Sequence, residues 1–336
     1  MYRNNATRFV TALVAALLAL SWSSAGQGPS GTAQAAGSKQ PPPFVLGMGD
    51  SVAWGFQAFP ADPNTTYPGF VNRFAERLVS SPHQEVIEVN YSCNGESTSS
   101  LIEGVPTASG PQCFGKALFD SPAHDDYNGT ELDAAVTFLR QQTGDGIVLI
   151  TVGGNDPLDN PTVAACNFDL GCLTQAFQLP SVRDEIYTTA LNNYKTILSA
   201  LLAANSEVRI LALNTYELDE NDPFTSTGIV VVVNAALTDA IKAIGSSRVT
   251  LVDTTTMFTP SAICEGELTE WCFDDLKYLS VHPTDAGYVV LTDLACDASR
   301  VSTTRENQLK CRSGTYPKPV AHGRLKPENV KATRHH

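Results

Sequence analysis

The sequence predicts an α/β fold, a three-layer α/β/α sandwich around a central, mostly parallel five-stranded sheet. Five short segments are apolar and rich in Val, Ile and Leu, as strands buried on both faces are. Segments with helical periodicity alternate with them, which is typical of a parallel sheet covered by helices on both faces. The chain of 336 residues is 43% hydrophobic and 17% charged, so it can bury a core of this size. The expected strands cover residues 44–48, 85–91, 146–152, 208–214 and 249–253.

Helical spacing and capping signals predict the helices between these strands. Residues 67–79 carry apolar side chains at helical spacing, namely Phe70, Phe74 and Leu78. Two sequences resemble capping boxes that open the next two helices, Thr130-x-x-Asp133 and Ser181-x-x-Asp184. The second of these helices, over residues 181–204, is expected to pack an apolar stripe into the core, made of Ile186, Ala190, Tyr194, Ile197 and Leu201.

The segment after the fourth predicted strand gives conflicting signals. Residues 229–233 are β-branched throughout, which favours a strand, whereas residues 234–244 have helical periodicity. No turn signal separates the two runs. We therefore expect one buried helix over residues 228–245, in which the first turns form against their intrinsic propensity.

The first 36 residues have the layout of a secretory signal peptide. Arg3 and Arg8 precede an apolar run over residues 9–20, and a stretch of small residues ends at Ala35-Ala36, where cleavage is expected. The run is shorter than the about 20 apolar residues that cross a bilayer, which argues against a membrane anchor. A short linker over residues 37–43 follows. We expect a secreted, extracellular protein without stable membrane insertion.

Charge is distributed unevenly along the chain, whose formal net charge is −13. Residues 40–309 hold 12 Lys and Arg against 34 Asp and Glu, whereas residues 310–336 hold 7 basic residues and 1 acidic residue. Phosphate binding needs clustered Lys and Arg, so the acidic body argues against nucleic acid as a partner. We expect one folded domain over residues 44–312 and a basic, disordered tail over residues 313–336.

The chain has eight cysteines, an even number that indicates disulfides when a secretory signal precedes them. Sequence alone allows many pairings, and we favour sequential neighbours because each such pair brackets one loop. No Cys-x-x-Cys occurs, which argues against a zinc ribbon or a redox motif. The expected disulfides are Cys93–Cys113, Cys166–Cys172, Cys264–Cys272 and Cys296–Cys311.

Three short polar motifs each follow a predicted strand, and a fourth precedes a predicted helix. They are Gly49-Asp50-Ser51, Gly95 within Cys93-Asn94-Gly95-Glu96-Ser97, Asn155 within Gly153-Gly154-Asn155-Asp156, and His282 within Val281-His282-Pro283. Parallel sheets place their sites where the strands end, so Ser51, Gly95 and Asn155 are expected at one edge. Ser51 offers a nucleophile, which needs a base to take its proton and donors for the anion formed on attack. Gly95 offers a backbone N–H and Asn155 a side-chain amide as such donors.

The base is sought among six histidines. Three of them lie in the expected tail, His322, His335 and His336. His83 lies in a polar loop and His124 beside two aspartates, so both are interpreted as surface residues, which leaves His282 as the general base. The His124-Asp125-Asp126 cluster has no further ligand at a spacing typical of a metal site. We therefore expect no metal and no cofactor.

The four motifs resemble the blocks of the SGNH hydrolases, also called GDSL esterases and lipases, which carry Ser, Gly, Asn and His in the same order. The resemblance spans roughly residues 44–300. It implies a flavodoxin-like SGNH hydrolase fold and a secreted serine esterase or lipase that acts on small esters or lipids. In such an enzyme Ser51 forms the acyl-enzyme and His282 is the general base. The backbone of Ser51 and Gly95 and the side chain of Asn155 form the oxyanion hole.

One position departs from the family pattern. An aspartate usually lies three residues before the histidine and orients its ring, whereas this chain has Leu279 there. Either a backbone carbonyl around Leu279 or Ser280 orients the ring of His282, which gives a catalytic dyad, or Asp275 reaches in from a shifted loop. We favour the dyad.

Other functions stay open from sequence alone. A binding protein with this fold and little or no turnover is one alternative, and Leu279 is the feature that suggests it. A deacetylase acting on acetylated polysaccharide, or a phospholipase, is another, because loops such as residues 217–227 set the pocket. An α/β-hydrolase lipase is disfavoured because Gly-x-Ser-x-Gly is absent. Three aromatic residues after the nucleophile either line an acyl pocket or pack a helix onto the sheet, namely Trp54, Phe56 and Phe59.

Overall fold

The computed structural model describes residues 41–57, 68–79, 85–119, 121, 123–218, 224–265, 267–270, 281–301 and 309–311. The predicted signal peptide over residues 1–36 and the predicted tail over residues 313–336 lie outside these ranges. Both therefore stay predictions, as do the domain limits at residues 44 and 312.

Five strands form one parallel sheet, which confirms the predicted fold class. They are β1 (Phe44–Gly49), β2 (Ile87–Asn90), β3 (Gly146–Thr151), β4 (Arg209–Leu213) and β5 (Val249–Val252). Their order across the sheet is β2-β1-β3-β4-β5, and every neighbouring pair is parallel. The order reverses at β1, and doubly wound sheets place their sites at the carboxyl ends of the strands beside such a reversal.

Helices connect the strands and cover both faces of the sheet. Those in the described residues are α1 (Ser51–Trp54), α2 (Phe70–Arg77), α3 (Thr98–Glu103), α4 (Phe114–Phe119), α5 (Glu131–Gln141), α6 (Asp156–Asp159), α7 (Pro161–Ala164), α8 (Leu170–Gln178), α9 (Pro180–Ala204), α10 (Asn234–Ile244), α11 (Pro260–Glu265) and α12 (Asp285–Val301). A π-helix, Phe224–Val233, runs directly into α10.

The sheet separates two apolar layers. Helices α5, α9 and α10 pack on the face to which β1 contributes Leu46. Helices α2 and α12 pack on the opposite face, to which β1 contributes Val45. Arg73 on α2 forms an ion pair with Asp285, the first residue of α12. This pair ties the start of α12, and with it the segment just before it that carries His282, to the body of the domain.

The first predicted helix is shorter than expected. It covers Phe70–Arg77 rather than residues 67–79. Leu78–Val79 pair instead with Lys310–Cys311 as a short antiparallel ladder, which takes their backbone groups out of the helix. Position 67 lies outside the described residues. Leu78 therefore lies in a strand because it pairs with a distant segment, although its spacing from Phe74 predicted a helix.

The capping box predicted at Ser181 is wrong. Helix α9 begins at Pro180, whose fixed φ suits the first helical position, and Leu179 is the N-cap without a side-chain hydrogen bond. Of the capping box predicted at Thr130, the N-cap bond is confirmed, since the side chain of Thr130 accepts a hydrogen bond from the N–H of Asp133. The predicted apolar stripe of α9 is buried as expected.

The segment with conflicting signals is helical throughout but begins earlier than predicted, at Phe224, and winds as a π-helix before α10. It is not buried on all sides, because Val231 is 62% exposed. Within the described residues, 224–244 form the stretch that is long and apolar enough to cross a membrane. It also packs on α9, as the core helix of a soluble protein does. The absence of stable membrane insertion stays a prediction.

Three of the four predicted disulfides are confirmed. They are Cys93–Cys113, Cys166–Cys172 and Cys296–Cys311. The fourth predicted pair includes Cys272, which lies outside the described residues. The first of these bridges joins the loop of Gly95 to the residue that precedes α4.

Candidate active site

Ser51 lies on a turn that leads from β1 directly into α1. Asp50 is the N-cap of α1, and its Oδ1 accepts a hydrogen bond of 2.9 Å from the N–H of Val52. The N–H of Asp50 donates to the carbonyl of Thr151 at the end of β3, at 2.8 Å. Gly49 has φ of +118°, and a Cβ there would lie 1.7 Å from that carbonyl oxygen. Only glycine therefore fits at this position, and it directs Ser51 to the edge of the sheet.

Two further hydrogen bonds hold the same turn from the other side. The N–H of Cys93 donates to the carbonyl of Gly49 at 2.9 Å. The N–H of Gly49 donates to Oε1 of Glu131 at 2.6 Å. The first bond brings the loop that carries Gly95 against the nucleophile turn. The second involves Glu131, for which the sequence predicted no role in the site.

Gly95 and Asn155 lie on adjoining loops that follow β2 and β3. The Nδ2 group of Asn155 donates to the carbonyl of Glu96 at 2.9 Å, so the amide is oriented by the residue next to Gly95. Gly95 has φ of +79°, and a Cβ there would lie 2.6 Å from the ring of Phe114. The carboxyl group of Glu96 accepts from the N–H of Phe114 at 3.3 Å and from the hydroxyl of Ser100. This carboxyl group fixes the loop of Gly95 onto the start of α4.

His282 reaches the nucleophile. Its Nε2 lies 2.9 Å from Oγ of Ser51, a hydrogen bond between residues 231 positions apart. The rings of Phe56 and His282 pack edge to face with their centroids 4.7 Å apart. Burial lowers the pKa of His282 to about 4. The imidazole is therefore neutral at neutral pH and can accept the proton of the serine hydroxyl.

Glu270 and Tyr216 hold the backbone around His282, and Tyr288 holds that of Phe56, whose ring packs on the imidazole. The N–H of Glu270 donates to the carbonyl of His282 at 2.9 Å. The hydroxyl of Tyr216, which follows β4, donates to the carbonyl of Val281 at 3.0 Å. The hydroxyl of Tyr288 donates to the carbonyl of Phe56 at 2.7 Å. These contacts were not predicted, because nothing near either tyrosine in the sequence marks it.

Several residues named in the sequence analysis lie outside the described residues. They are Phe59, His83, Cys272, Asp275, Leu279 and Ser280. The choice between a dyad and a triad with Asp275 therefore stays open. His124 is exposed, and its Nδ1 lies 3.2 Å from the carboxylate of Asp125, as expected of a surface residue. Trp54 packs against both Phe56 and His124.

Four carboxyl groups are buried around the strand ends. Burial raises the pKa of Asp50, of Glu96 and of Asp156 to about 7 in each case. Burial, together with the neighbouring Glu96, raises the pKa of Glu131 well above its ordinary value. Hydrogen bonds partly oppose the rise in pKa of the first three acids. The donors are Val52 for Asp50, Ser100 for Glu96 and Thr98 for Asp156. Asp50, Glu96 and Asp156 are therefore largely uncharged below about pH 7.

Metal ligation finds little support within the described part of the chain. Potential ligand atoms of Cys93, Glu96 and Cys113 lie close together, but both sulfur atoms belong to one disulfide. A groove of about 380 Å³ lies beside the ends of β4 and β5 and is lined by residues that include Asn214 and Asp253. Neither Ser51 nor His282 lines it.

The arrangement is suited to acyl transfer. A hydroxyl in contact with a neutral imidazole supplies an activated nucleophile and its base. The N–H of Ser51 lies in the first turn of α1, where N–H groups have no intrahelical acceptor. Asn155 has a second amide hydrogen beside the one given to Glu96. Donors for an oxyanion are therefore present on the loops around the hydroxyl.

Comparison with known proteins gives one family match. The sequence model of the GDSL-like lipase/acylhydrolase family matches residues 48–290. No curated protein matches the sequence.

Solved structures similar to this chain have low sequence identity to it. A lipase from a goat rumen metagenome has 16% identity and a TM-score of 0.46, over 80% of this chain and 100% of that one. An extracellular lipase from Streptomyces rimosus has 16% identity and a TM-score of 0.49, over 76% of this chain and 99% of that one. A catalytic mutant of an acetylxylan esterase from Geobacillus stearothermophilus has 16% identity and a TM-score of 0.42, over 77% of this chain and 94% of that one.

Proposed function

The chain belongs to the GDSL-like lipase/acylhydrolase family, and on that premise we propose that it hydrolyses carboxylic esters through an acyl-enzyme on Ser51. The observation that carries the proposal is the distance of 2.9 Å between Oγ of Ser51 and Nε2 of His282. The burial of His282 supports it as well, because a neutral imidazole is the form that acts as a base.

The first half of the reaction forms the acyl-enzyme. Oγ of Ser51 attacks the acyl carbon while Nε2 of His282 takes the hydroxyl proton. The negative charge on the former carbonyl oxygen is stabilised by the N–H groups of Ser51 and Gly95 and by Nδ2 of Asn155. When the tetrahedral intermediate collapses, the bond to the alcohol oxygen breaks and His282 returns the proton to it.

The second half releases the acid. Water attacks the acyl carbon and gives its proton to His282, and the same donors stabilise the second oxyanion. Collapse breaks the bond to Oγ of Ser51, which regains the proton from His282. The products are a carboxylic acid and an alcohol, and the enzyme returns to its starting state.

We propose that the protein acts outside the cell. The layout of the first 36 residues supports secretion, and so do the three disulfides among the described residues, because disulfides persist in oxidising compartments. The acidic body agrees with a small ester or lipid, rather than a polyanion, as substrate.

The nucleophile is tested by hydrolysis of p-nitrophenyl acetate and butyrate. We expect Ser51→Ala to lower kcat by roughly 10⁶-fold, because removal of such a nucleophile leaves only binding and the oxyanion donors. A fluorophosphonate should label the parent protein at Ser51. Ser261→Ala, which changes an exposed serine on α11, serves as the matched control. A parent protein without turnover would favour the binding-protein alternative, and a Ser51→Ala variant as fast as the parent would refute the nucleophile.

The residue that orients the imidazole is tested by a second pair of variants. If a backbone carbonyl near Leu279 holds the ring, His282→Ala should abolish activity while Asp275→Ala should keep most of it. Loss of activity in a correctly folded Asp275→Ala variant would instead support a triad with a shifted aspartate. Circular dichroism of each variant checks the fold.

A further inference from the structure

Glu131 is a buried acid that contacts the nucleophile turn although the mechanism above does not use it. It is the first residue of α5 and is 0% exposed. Its Oε1 accepts the hydrogen bond of 2.6 Å from the N–H of Gly49, a residue 82 positions earlier. One residue, Asp50, lies between Gly49 and the hydroxyl-bearing Ser51.

The geometry of the sheet explains why a side chain is needed there. Strand β2 ends at Asn90, which pairs with Gly47, so the ladder between β1 and β2 does not extend to Gly49. On the other side of β1, Gly49 pairs with Thr151, the last residue of β3. Beyond the end of β2, the carboxyl group of Glu131 provides the acceptor for a buried backbone N–H that would otherwise lose its partner.

Glu131 is not used as a helix cap. Thr130 caps α5 by accepting from the N–H of Asp133, and Asp133 is exposed in the same first turn. An acidic residue in the first turn of a helix is usually a solvent-facing partner of the helix dipole. The side chain of Glu131 instead extends inward to Gly49, against the preference of a carboxyl group for water. The N–H of Gly49, in the nucleophile turn, supplies the hydrogen bond that stabilises the buried carboxyl group.

We propose that Glu131 is a positioning residue: its buried carboxyl group fixes Gly49 and thereby the direction from which the Ser51 hydroxyl meets His282. This inference rests on the proposed function. The groups that face the carboxyl include Glu96, Asp50 and the phenol of Tyr127. Burial, with Glu96 and Asp50, raises the pKa of Glu131 well above its ordinary value, which favours the uncharged acid. In its uncharged form the carboxyl group accepts the hydrogen bond without adding negative charge beside a developing oxyanion.

The test compares two substitutions of Glu131, one that keeps a hydrogen-bond acceptor for Gly49 and one that removes it. Glu131→Gln keeps an uncharged acceptor of the same shape, and Glu131→Leu fills a similar volume without an acceptor. For p-nitrophenyl butyrate we expect Glu131→Gln to retain kcat and the pH profile of the parent. We expect Glu131→Leu to lose about 100-fold in kcat with little change in KM, because a small displacement of the nucleophile slows chemistry more than binding. The rate of labelling by a fluorophosphonate should fall in parallel.

Controls separate positioning from simple stability and from the proposed function. Asp133→Leu changes an exposed acid in the same helical turn and should leave kcat unchanged. If Glu131→Leu is as active as the parent, or if a folded Glu131→Gln loses activity or shifts the pH profile, the inference is wrong. If Glu131→Leu does not fold, Glu131→Gln alone decides by the same criteria. Ser51→Ala is measured alongside: an active Ser51→Ala overturns the proposed function, whereas an inactive one beside an active Glu131→Leu overturns only the role of Glu131.

Discussion

At the scale of single residues, burial sets the protonation state of His282. Burial lowers its pKa from 6.5 to about 4, since the imidazolium loses the water that stabilises its charge. The ring of Phe56 covers the imidazole, with 4.7 Å between the ring centroids. The base is therefore ready to accept a proton in mildly acidic solution, where an exposed histidine is largely charged.

We predict that the acidic limb of kcat/KM lies near pH 4 and not near pH 6.5. The limb reports the pKa of the base in the free enzyme. Phe56→Ala exposes the imidazole to water and should move the limb upward, whereas Phe56→Leu keeps an apolar cover and should leave it close to that of the parent. The measurement is ester hydrolysis followed across this pH range. A limb near 6.5 in the parent would show that burial does not lower the pKa of His282, whereas a limb near 4 that is lost in His282→Ala would support both the lowered pKa and the base.

Residues of the candidate site differ in how far sequence can identify them. Ser51, Gly95 and Asn155 stand in short motifs where a strand ends, so their neighbours mark them. Glu131 and Tyr216 act through contacts that span 82 and 65 positions, and no motif near either residue indicates those contacts. Only the folded chain brings such partners together. A sequence signal for Glu131 does exist, since it opens a capped helix, but that signal favours a role at the helix end.

At the scale of elements, the strands were predictable because burial on both faces restricts their composition. The run that forms β3, Gly146–Thr151, is apolar except for its last residue and lies between polar connections. Helix starts were less predictable, because Pro180 opens α9 before the capping signal at Ser181. The β-branched run before α10 winds as a π-helix, Phe224–Val233. Such side chains crowd the preceding turn of an α-helix, and the local pattern alone did not show how the backbone would respond.

The disulfide Cys93–Cys113 links two elements of the oxyanion side, and we predict that its removal impairs catalysis. It joins the loop of Gly95 to the start of α4, where Phe114 packs against that glycine. We expect Cys93→Ala/Cys113→Ala to lower kcat about 10-fold or more, because the N–H of Gly95 then varies in position. Measuring kcat for p-nitrophenyl butyrate together with the free energy of unfolding separates this effect from lost stability.

The disulfide Cys166–Cys172 provides the matched control. Its two cysteines are 6 positions apart and connect the end of α7 to α8. The cysteines of Cys93–Cys113 are 20 positions apart. Chain entropy predicts losses of about 2 and about 3 kcal/mol in the free energy of unfolding, respectively. Removal of both cysteines from the smaller loop should therefore cost comparable stability and leave kcat near that of the parent. Equal losses of kcat in the two variants would show that the bridge at Gly95 has no particular role in catalysis.

At the scale of the whole molecule, buried acids couple stability to pH. The pKa of Asp50, Glu96 and Asp156 is raised by burial to about 7 in the folded chain, from ordinary values of 3.8 or 4.5. The folded state thus binds protons that the unfolded state has already lost between these values. The stability they contribute is complete below about pH 4 and is lost as the pH rises through about 7. His282 acts oppositely: its stability is present above 6.5 and lost as the pH falls through about 4. One histidine offsets only part of the effect of three acids.

We therefore predict that the free energy of unfolding falls as the pH rises from about 5 to about 8, with each acid contributing at most about 1.4 kcal/mol per pH unit. Repulsion within the acidic body, which holds 34 Asp and Glu against 12 Lys and Arg over residues 40–309, acts in the same direction. Urea denaturation at each pH and constant ionic strength measures the slope. Glu96→Gln removes one titrating group while keeping an acceptor for the N–H of Phe114, so it should flatten the decline. Asp133→Asn changes an exposed acid and should leave the slope unchanged. A parent protein that gains stability between pH 5 and 7 would show that the three buried carboxyl groups are ionised in the folded state.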